Sequence, residues 1–335
     1  MWSAGNRNGD EADSASIRPP FRNRSIAVLG CGSVGSVAAW MIAGMGAHEI
    51  ILIDRDTLSR DNLRRHPASA DAVDHPKVCA VADFVASRLD SQRNVQVSVA
   101  GIDTLDRTTM PHGDREDVYP RSLSLFAFQF DALEQIEALA RIIARVDAMF
   151  VAVDDERLRY AAAYAARQWE TPTVMAGVYG GGWGCEAILE GVSNRLPCYG
   201  CASAALGRVG VPLERMRHRY VGQPQWSPTD RLATKPNRIA TPTSATHAAA
   251  SAIHVSTAAA FAATALWQAL EFCDAKSPAM EPAIARRMCL PSNDRGPHGK
   301  IAAMPLFCRE DVPVVRRRSC LECGDAQPPA NGTTW

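Results

Sequence analysis

An apolar strand running straight into a glycine loop, with a helix and a second apolar strand behind it, restricts the front of this chain to one kind of sheet. Residues 25–29 read Ser-Ile-Ala-Val-Leu and are followed at once by Gly30-Cys31-Gly32-Ser33-Val34-Gly35. Residues 34–45 carry the helix and residues 49–53 the second strand. Together they form a βαβ crossover with a phosphate loop at its first turn. Each glycine has its own task. Gly30 permits the tight turn, Gly32 lets backbone approach a phosphate, and Gly35 lets helix and strand come close. The helix N-terminus adds amide donors and partial positive charge. The expected architecture is an α/β, Rossmann-like doubly wound sheet, parallel in its first half and mixed in its second.

The remaining periodicity extends that sheet. Helices are expected over 76–89, 131–145 and 156–169, and strands over 95–99, 148–153, 173–178 and 185–189. Residues 103–128 hold Pro111, Gly113, Pro120 and mixed charge without clear periodicity, and read as an insertion or loop. Residues 202–245 read as a long irregular connection, and 280–335 as a Pro-rich tail of short strands and loops. Residues 1–24 read as a flexible lead-in to one domain over 25–335.

With 335 residues and 47% hydrophobic composition, the chain can bury one large core. Lys and Arg balance Asp and Glu at 36 each, which implies no general nucleic-acid surface. Residues 246–272 are apolar enough to suggest a membrane span. They are mostly alanine, however, and carry His247, Ser251, His254, Ser256, Thr257 and Gln268, so a buried helix is expected and no membrane partner. The N-terminus shows no hydrophobic signal. Ten cysteines in such a chain point to a reducing compartment, the cytoplasm.

Asp54 ends the second strand about 20 residues past the glycine loop, where a carboxylate accepts from ribose hydroxyls. Up to this point a dinucleotide-binding domain explains the pattern equally well. Asn62, Arg65 and Lys77 tip the balance. A dinucleotide needs little positive charge, whereas a triphosphate attacked at its α-phosphorus develops charge that fixed Arg and Lys stabilise. Asp154, after a later parallel strand, would face the same crevice as a Mg²⁺ ligand. The plainer alternative makes Asn62, Arg64, Arg65 and Lys77 a solvated surface. No GxxxxGK[ST] loop occurs, which disfavours a P-loop ATPase.

Cys198-Tyr199-Gly200-Cys201 and Cys320-Leu321-Glu322-Cys323 are two CxxC knuckles. Two such turns can close a tetrahedral four-thiolate site, the structural zinc pattern, which would pin the C-terminal tail to the core. Redox chemistry or unligated thiols are the alternatives. Cys31 and Cys79 read as packed core thiols.

These segments resemble the ThiF/MoeB/HesA superfamily of ubiquitin-activating-type adenylyltransferases. The matching motifs, all in family order, are Gly30 to Gly35, Asp54-Arg55-Asp56-Thr57 through Asn62-Leu63-Arg64-Arg65, and His75-Pro76-Lys77. Val153-Asp154-Asp155 with Arg159, Pro197 to Cys201 and Cys320 to Gly324 complete the set. The resemblance implies that MgATP adenylates the C-terminal carboxylate of a ubiquitin-like or sulfur-carrier β-grasp protein with a glycine tail. Nucleotide binding would fall to Gly30, Gly32, Gly35, Asp54, Asp56, Asn62, Arg65 and Lys77, with Arg65, Lys77 and Asp154 acting on the reacting phosphates and Zn²⁺ at the four cysteines. It also implies a homodimer, a conjugating enzyme or sulfurtransferase partner, and a crossover loop at 202–245.

Three features depart from the family pattern. The family's N-terminal arginine motif is missing from 1–24, where Arg18, Arg22 and Arg24 are the nearest candidates. Asp155 and His66 stand where the family has Asn and Gln, and an added carboxylate near phosphates would alter metal binding. No cysteine lies between Cys201 and Cys273, so adenylation without a crossover-loop thioester is expected, with Cys185 as an outside candidate nucleophile. Activation of a small peptide carboxylate and a non-catalytic nucleotide-binding scaffold are the competing functions.

Overall fold

The structure, a computed structural model, describes residues 19–89, 93–99, 122–178, 184–206, 252–275, 282–290, 307–318, 320 and 323. They build one nine-stranded sheet flanked by helices. The strands are β1 Ser25–Leu29, β2 Glu49–Asp54, β3 Asn94–Val99, β4 Ser122–Gln129, β5 Ala148–Val151, β6 Thr173–Val178, β7 Gly184–Glu190, β8 Ala285–Cys289 and β9 Arg309–Val312. The helices are α1 Ser33–Gly44, α2 Lys77–Leu89, α3 Ile136–Arg145, α4 Glu156–Trp169, α5 Tyr199–Ala205 and α6 Ala252–Ala275.

The sheet order is β3-β4-β2-β1-β5-β6-β7-β8-β9. Pairing is parallel from β3 across to β6, and antiparallel from β6 through β7 and β8 to β9. The division into a parallel and a mixed part follows the expected architecture. All five residues of β1 are buried, as are Glu49 to Ile53 of β2. This matches the continuous apolar runs of strands covered on both faces. The chain leaves β1 toward β2 on one side and later returns to β5 on the other. The C-terminal ends of these strands therefore surround a topological switch point, where open α/β sheets bind ligands.

Helix α6 fills the role expected of the alanine-rich stretch. By length and composition alone it could cross a membrane, yet 56% of its apolar window is buried inside the fold. Ala258, Ala259, Ala262, Ala263, Ala265 and Leu266 pack inward, against α1, β6 and β7. Small side chains let this helix lie close to the sheet.

Two boundaries differ from the sequence reading. Residues 122–128 belong to strand β4 and not to a loop. Ser-Leu-Ser-Leu-Phe-Ala-Phe is an apolar run, with Leu123, Leu125 and Phe126 to Phe128 buried beside β2. The adjoining residues 100–121, with Pro111 and Pro120, lie outside the described residues and had masked it. Residues 19–24 also belong to the fold. Phe21 is fully buried and its amide donates to the Met45 carbonyl at 3.0 Å, so the side chain anchors the chain ahead of β1. Of the expected crossover connection, 202–205 complete α5. Residues 206–245 lie outside it, and the structure describes only residue 206 of them. Residues 1–18 of the lead-in are likewise outside the described residues.

Candidate nucleotide site and cysteine cluster

The glycine loop performs the three tasks its spacing requires. Gly30 has φ +94°, and a Cβ there would meet the Ala152 carbonyl oxygen at 2.6 Å. A Cβ on Gly35 would lie 1.8 Å from the Gly30 carbonyl oxygen, so α1 can start against the loop only at glycine. Above Gly32 the space is open: a Cβ would meet nothing within 4 Å. That is where a phosphate can come against backbone, at the N-terminus of a twelve-residue helix.

Asp54 closes the loop from the side. Its Oδ2 accepts from the Cys31 amide at 2.7 Å and its Oδ1 from the Asp56 amide at 2.9 Å. Burial holds its carboxyl above the usual carboxylate range, against the pull of those two amides and of Lys77. Cys31 is fully buried and its thiol is pushed well up by burial and by Asp54.

Asp56 and Lys77 form a pair. Residues 56–58 run beside 74–77, with a Thr57–Pro76 bridge and a 2.9 Å bond from the Lys77 amide to the Asp56 carbonyl. This brings Lys77 Nζ to 2.8 Å from Asp56 Oδ2. The ammonium is mostly buried, at 13% side-chain exposure, while Asp56 is 53% exposed. In this state Asp56 holds the lysine and contacts the nucleotide site through it.

Asn62 and Arg65 sit on and just after a 3-10 turn, Arg60–Arg64. Arg65 ends this turn three residues after Asn62, with φ −140°. Asn62 Oδ1 accepts from the Ser59 amide at 3.2 Å, which fixes the side chain over the start of the turn. Arg65 is half-buried, and its amide donates to the Asn62 carbonyl at 3.0 Å.

Asp154 lies three residues beyond β5, further from the strand than expected, because the strand ends at Val151. It is exposed and has no hydrogen-bond or ion-pair partner among the described residues. The turn carrying it is rigidly held. Arg159 donates from Nε to the Val153 carbonyl and from Nη2 to the Ala176 carbonyl, each at 2.7 Å, and its Nη1 lies 3.3 Å from Glu186 Oε1.

Asp155 departs from the expected disturbance near the phosphates. It caps α4, accepting from the Arg157 amide at 2.9 Å, and pairs with the Arg157 side chain at 2.5 Å. Burial pushes its carboxyl up, but these bonds win and its pKa is lowered. The added carboxylate is thus paired within its own turn, while Asp154 beside it is exposed.

The sequence marks His66 only as standing where the family has Gln and assigns it no role. The ring is buried, its Nε2 lies 2.9 Å from the Cys31 carbonyl oxygen, and its Nδ1 accepts from the Ala68 amide at 3.2 Å. Its position directly after Arg65 was the available signal. Arg24, one of the arginines near the N-terminus, pairs with Asp147 at 3.2 Å and with Asp274. It stands at the N-terminal end of β1, the edge opposite the glycine loop.

Cys185 is placed as a core thiol rather than as an accessible nucleophile. It is fully buried among Ala258, Leu290, Val178, Phe261 and Met288, and burial raises its pKa to about 12. Only the thiolate attacks, and burial disfavours that form here. Cys185→Ala should leave activity within about twofold of wild type, because alanine fills the same apolar site. In the folded chain, iodoacetamide mapped by mass spectrometry should leave Cys185 unlabelled. Loss of activity in the variant would restore the thiol's role.

At the far end of β7, Cys198, Cys201, Cys320 and Cys323 come together, all buried, with their sulfur atoms within 4.8 Å of one another. Two of the contacts, Cys198–Cys320 and Cys201–Cys323, are 3.4 and 3.6 Å. A tetrahedral zinc with Zn–S near 2.3 Å needs S···S separations of about 3.8 Å, so the four thiols fit such an ion. The Arg317 amide donates to Cys201 Sγ at 3.4 Å. Glu190 anchors the first knuckle to β7, accepting from the Tyr199 amide at 2.7 Å.

Comparison with known proteins agrees with this geometry. The ThiF family model matches residues 18–290. The adenylyltransferase and sulfurtransferase UBA4 of Yarrowia lipolytica is 41% identical over 65 residues, 19% of this chain and only 16% of that protein's length. Among solved structures, E. coli MccB with ATP is similar at a TM-score of 0.54 and 17% identity, covering 92% of this chain and 68% of that one. E. coli MccB with AMPCPP and selenomethionine MccA gives a TM-score of 0.54 at 18% identity over the same shares. At such identity the likeness speaks for the fold.

Proposed function

The chain belongs to the ThiF family, and from that premise we propose that it is an ATP-dependent adenylyltransferase. Its substrate is the C-terminal carboxylate of a ubiquitin-like or sulfur-carrier β-grasp protein. One observation carries this reading. Gly32 follows β1, Asp54 ends β2 and Asp154 follows β5, three neighbouring parallel strands, and Lys77 is tied to Asp56 just past Asp54.

In this reading the loop amides and the α1 N-terminus bind phosphate oxygens, and Asp54 accepts from the ribose hydroxyls. Lys77 leaves Asp56 for the triphosphate, joining Asn62 and Arg65. The exposed, unengaged carboxylate of Asp154 suits a hard cation and would hold Mg²⁺, which neutralises developing phosphate charge when bound. The substrate carboxylate, already ionised, attacks the α-phosphorus. A new P–O bond forms, the bond to pyrophosphate breaks, and an acyl-adenylate results. Arg65 and Lys77 stabilise the charge that builds on the departing oxygens.

No cysteine lies between Cys201 and Cys273 and Cys185 is buried, so the acyl-adenylate passes to an external nucleophile. The partner is then a sulfurtransferase or conjugating enzyme. The four cysteines hold a structural Zn²⁺, and the enzyme acts in the cytoplasm as a homodimer. A second reading, activation of a short peptide carboxylate, draws on the MccB-like fold, since solved MccB structures include MccA complexes.

ATP–pyrophosphate exchange separates these readings. It should appear when a β-grasp protein with a free glycine tail is added, and vanish when that tail is truncated. Exchange driven by short peptides alone would move the assignment to the second reading. Tight ATP binding with no exchange for any carboxylate would make the protein a nucleotide-binding scaffold.

A further inference from the structure

We propose that His66 is a positioning residue that sets the peptide plane of the phosphate loop and makes nucleotide binding sensitive to acid. The inference rests on the adenylation reading of the crevice and adds a control to it.

Cys31 lies between the first two glycines of the loop and is gripped from both sides. Asp54 takes its amide at 2.7 Å and His66 takes its carbonyl at 2.9 Å. The Cys31 carbonyl and the Gly32 N–H belong to one planar trans peptide, so they point in opposite directions. Holding the carbonyl toward His66 therefore aims the Gly32 N–H away from it, which fits the open space above Gly32.

The ring can do this only as one neutral tautomer. Nδ1 accepts from the Ala68 amide at 3.2 Å, so the proton sits on Nε2 and is donated to Cys31. A second proton would place Nδ1–H against the Ala68 N–H, donor facing donor. The 66–68 turn would open, and with it the clamp beside Arg65. Glutamine offers the same pairing of one donor and one acceptor but does not titrate.

The charged and titratable surroundings favour the neutral ring. Burial is the main influence, the Lys77 ammonium on α2 adds to it, and the bond to Cys31 opposes them, leaving a pKa below its ordinary 6.5. The Cys31 thiol, directed to the Ile53 carbonyl, is itself held protonated. Asp54 lies on the other side of the Cys31 amide. The clamp is therefore intact at neutral pH and lost as pH falls below that range.

The test is MgATP affinity of the full chain, measured calorimetrically from pH 8 to pH 5, for wild type, His66→Gln and His66→Ala. Wild type should lose about tenfold affinity on the acid side, the worth of one well-placed hydrogen bond. His66→Gln should match wild type at pH 7.5 within about threefold and lack that loss once the titration of ATP itself is subtracted. His66→Ala should bind about tenfold more weakly at every pH. An acid loss of equal size in His66→Gln would overturn the proposal, as would wild-type affinity in His66→Ala at pH 7.5. Binding that follows this pattern without pyrophosphate exchange would overturn the adenylation reading and leave the clamp standing. Absence of ATP binding in wild type would overturn both.

Discussion

Asp154→Ala should lower ATP–pyrophosphate exchange by about a hundredfold to a thousandfold while the chain keeps its fold, since electrostatic contacts to the reacting group carry several kcal/mol. The asymmetry follows from how the turn is built. Asp154 is exposed and has no partner among the described residues, so its removal costs the fold about 0.5 kcal/mol at most. The turn is shaped by its neighbours. Arg159 holds the Val153 carbonyl at 2.7 Å, and Asp155 caps α4. The informative control is Asp155→Asn, which keeps the cap and loses only the ion pair with Arg157. It should exchange at a rate near wild type. Exchange at the wild-type rate in Asp154→Ala, with the melting temperature unchanged, would remove Asp154 from the chemistry.

How much of this was legible beforehand depends on how local each feature is. The glycine loop and each CxxC knuckle are signals carried by a few adjacent residues, and the loop glycines and the four thiols sit in the geometry that such spacing implies. Asp155 was also legible in principle, because an Asp directly before a helix is the ordinary N-cap. The Asp56–Lys77 pair was not legible. It depends on residues 56–58 lying beside 74–77 through a single bridge, a tertiary event with no periodic signature. His66 was hidden for the same reason, since a buried imidazole and a surface one look alike in sequence. Strand β4 was lost for a different reason: its apolar run was averaged with the Pro-containing stretch before it.

The largest effect on stability is expected at the other end of the molecule. Cys320→Ser should abolish stoichiometric zinc, read by elemental analysis, and lower the melting temperature by about 10 °C or more, because a closed four-thiolate site converts metal affinity into folding free energy. The first knuckle is rooted in the sheet through Glu190, whose other oxygen lies 2.9 Å from Arg167. The second follows β9 and the residues after it. The ion would therefore bind the end of the antiparallel β7-β8-β9 ladder to the start of α5, a closure that spans 122 residues of sequence. Charge balance favours it. A four-thiolate zinc centre carries about −2, and Arg316, Arg317 and Arg318 stand just ahead of Ser319 and Cys320. Arg316 donates to the Cys323 carbonyl and Arg317 to the Gly200 carbonyl. Hydrogen bonding to Cys201 raises the Arg317 pKa further. Without an ion, burial drives the Cys323 thiol up to about 11, so binding must expel protons. Zinc affinity should therefore weaken as pH falls, with chelators stripping the metal more readily at pH 6 than at pH 8. Metal-free protein of unchanged stability would leave the four cysteines as packed thiols and nothing more.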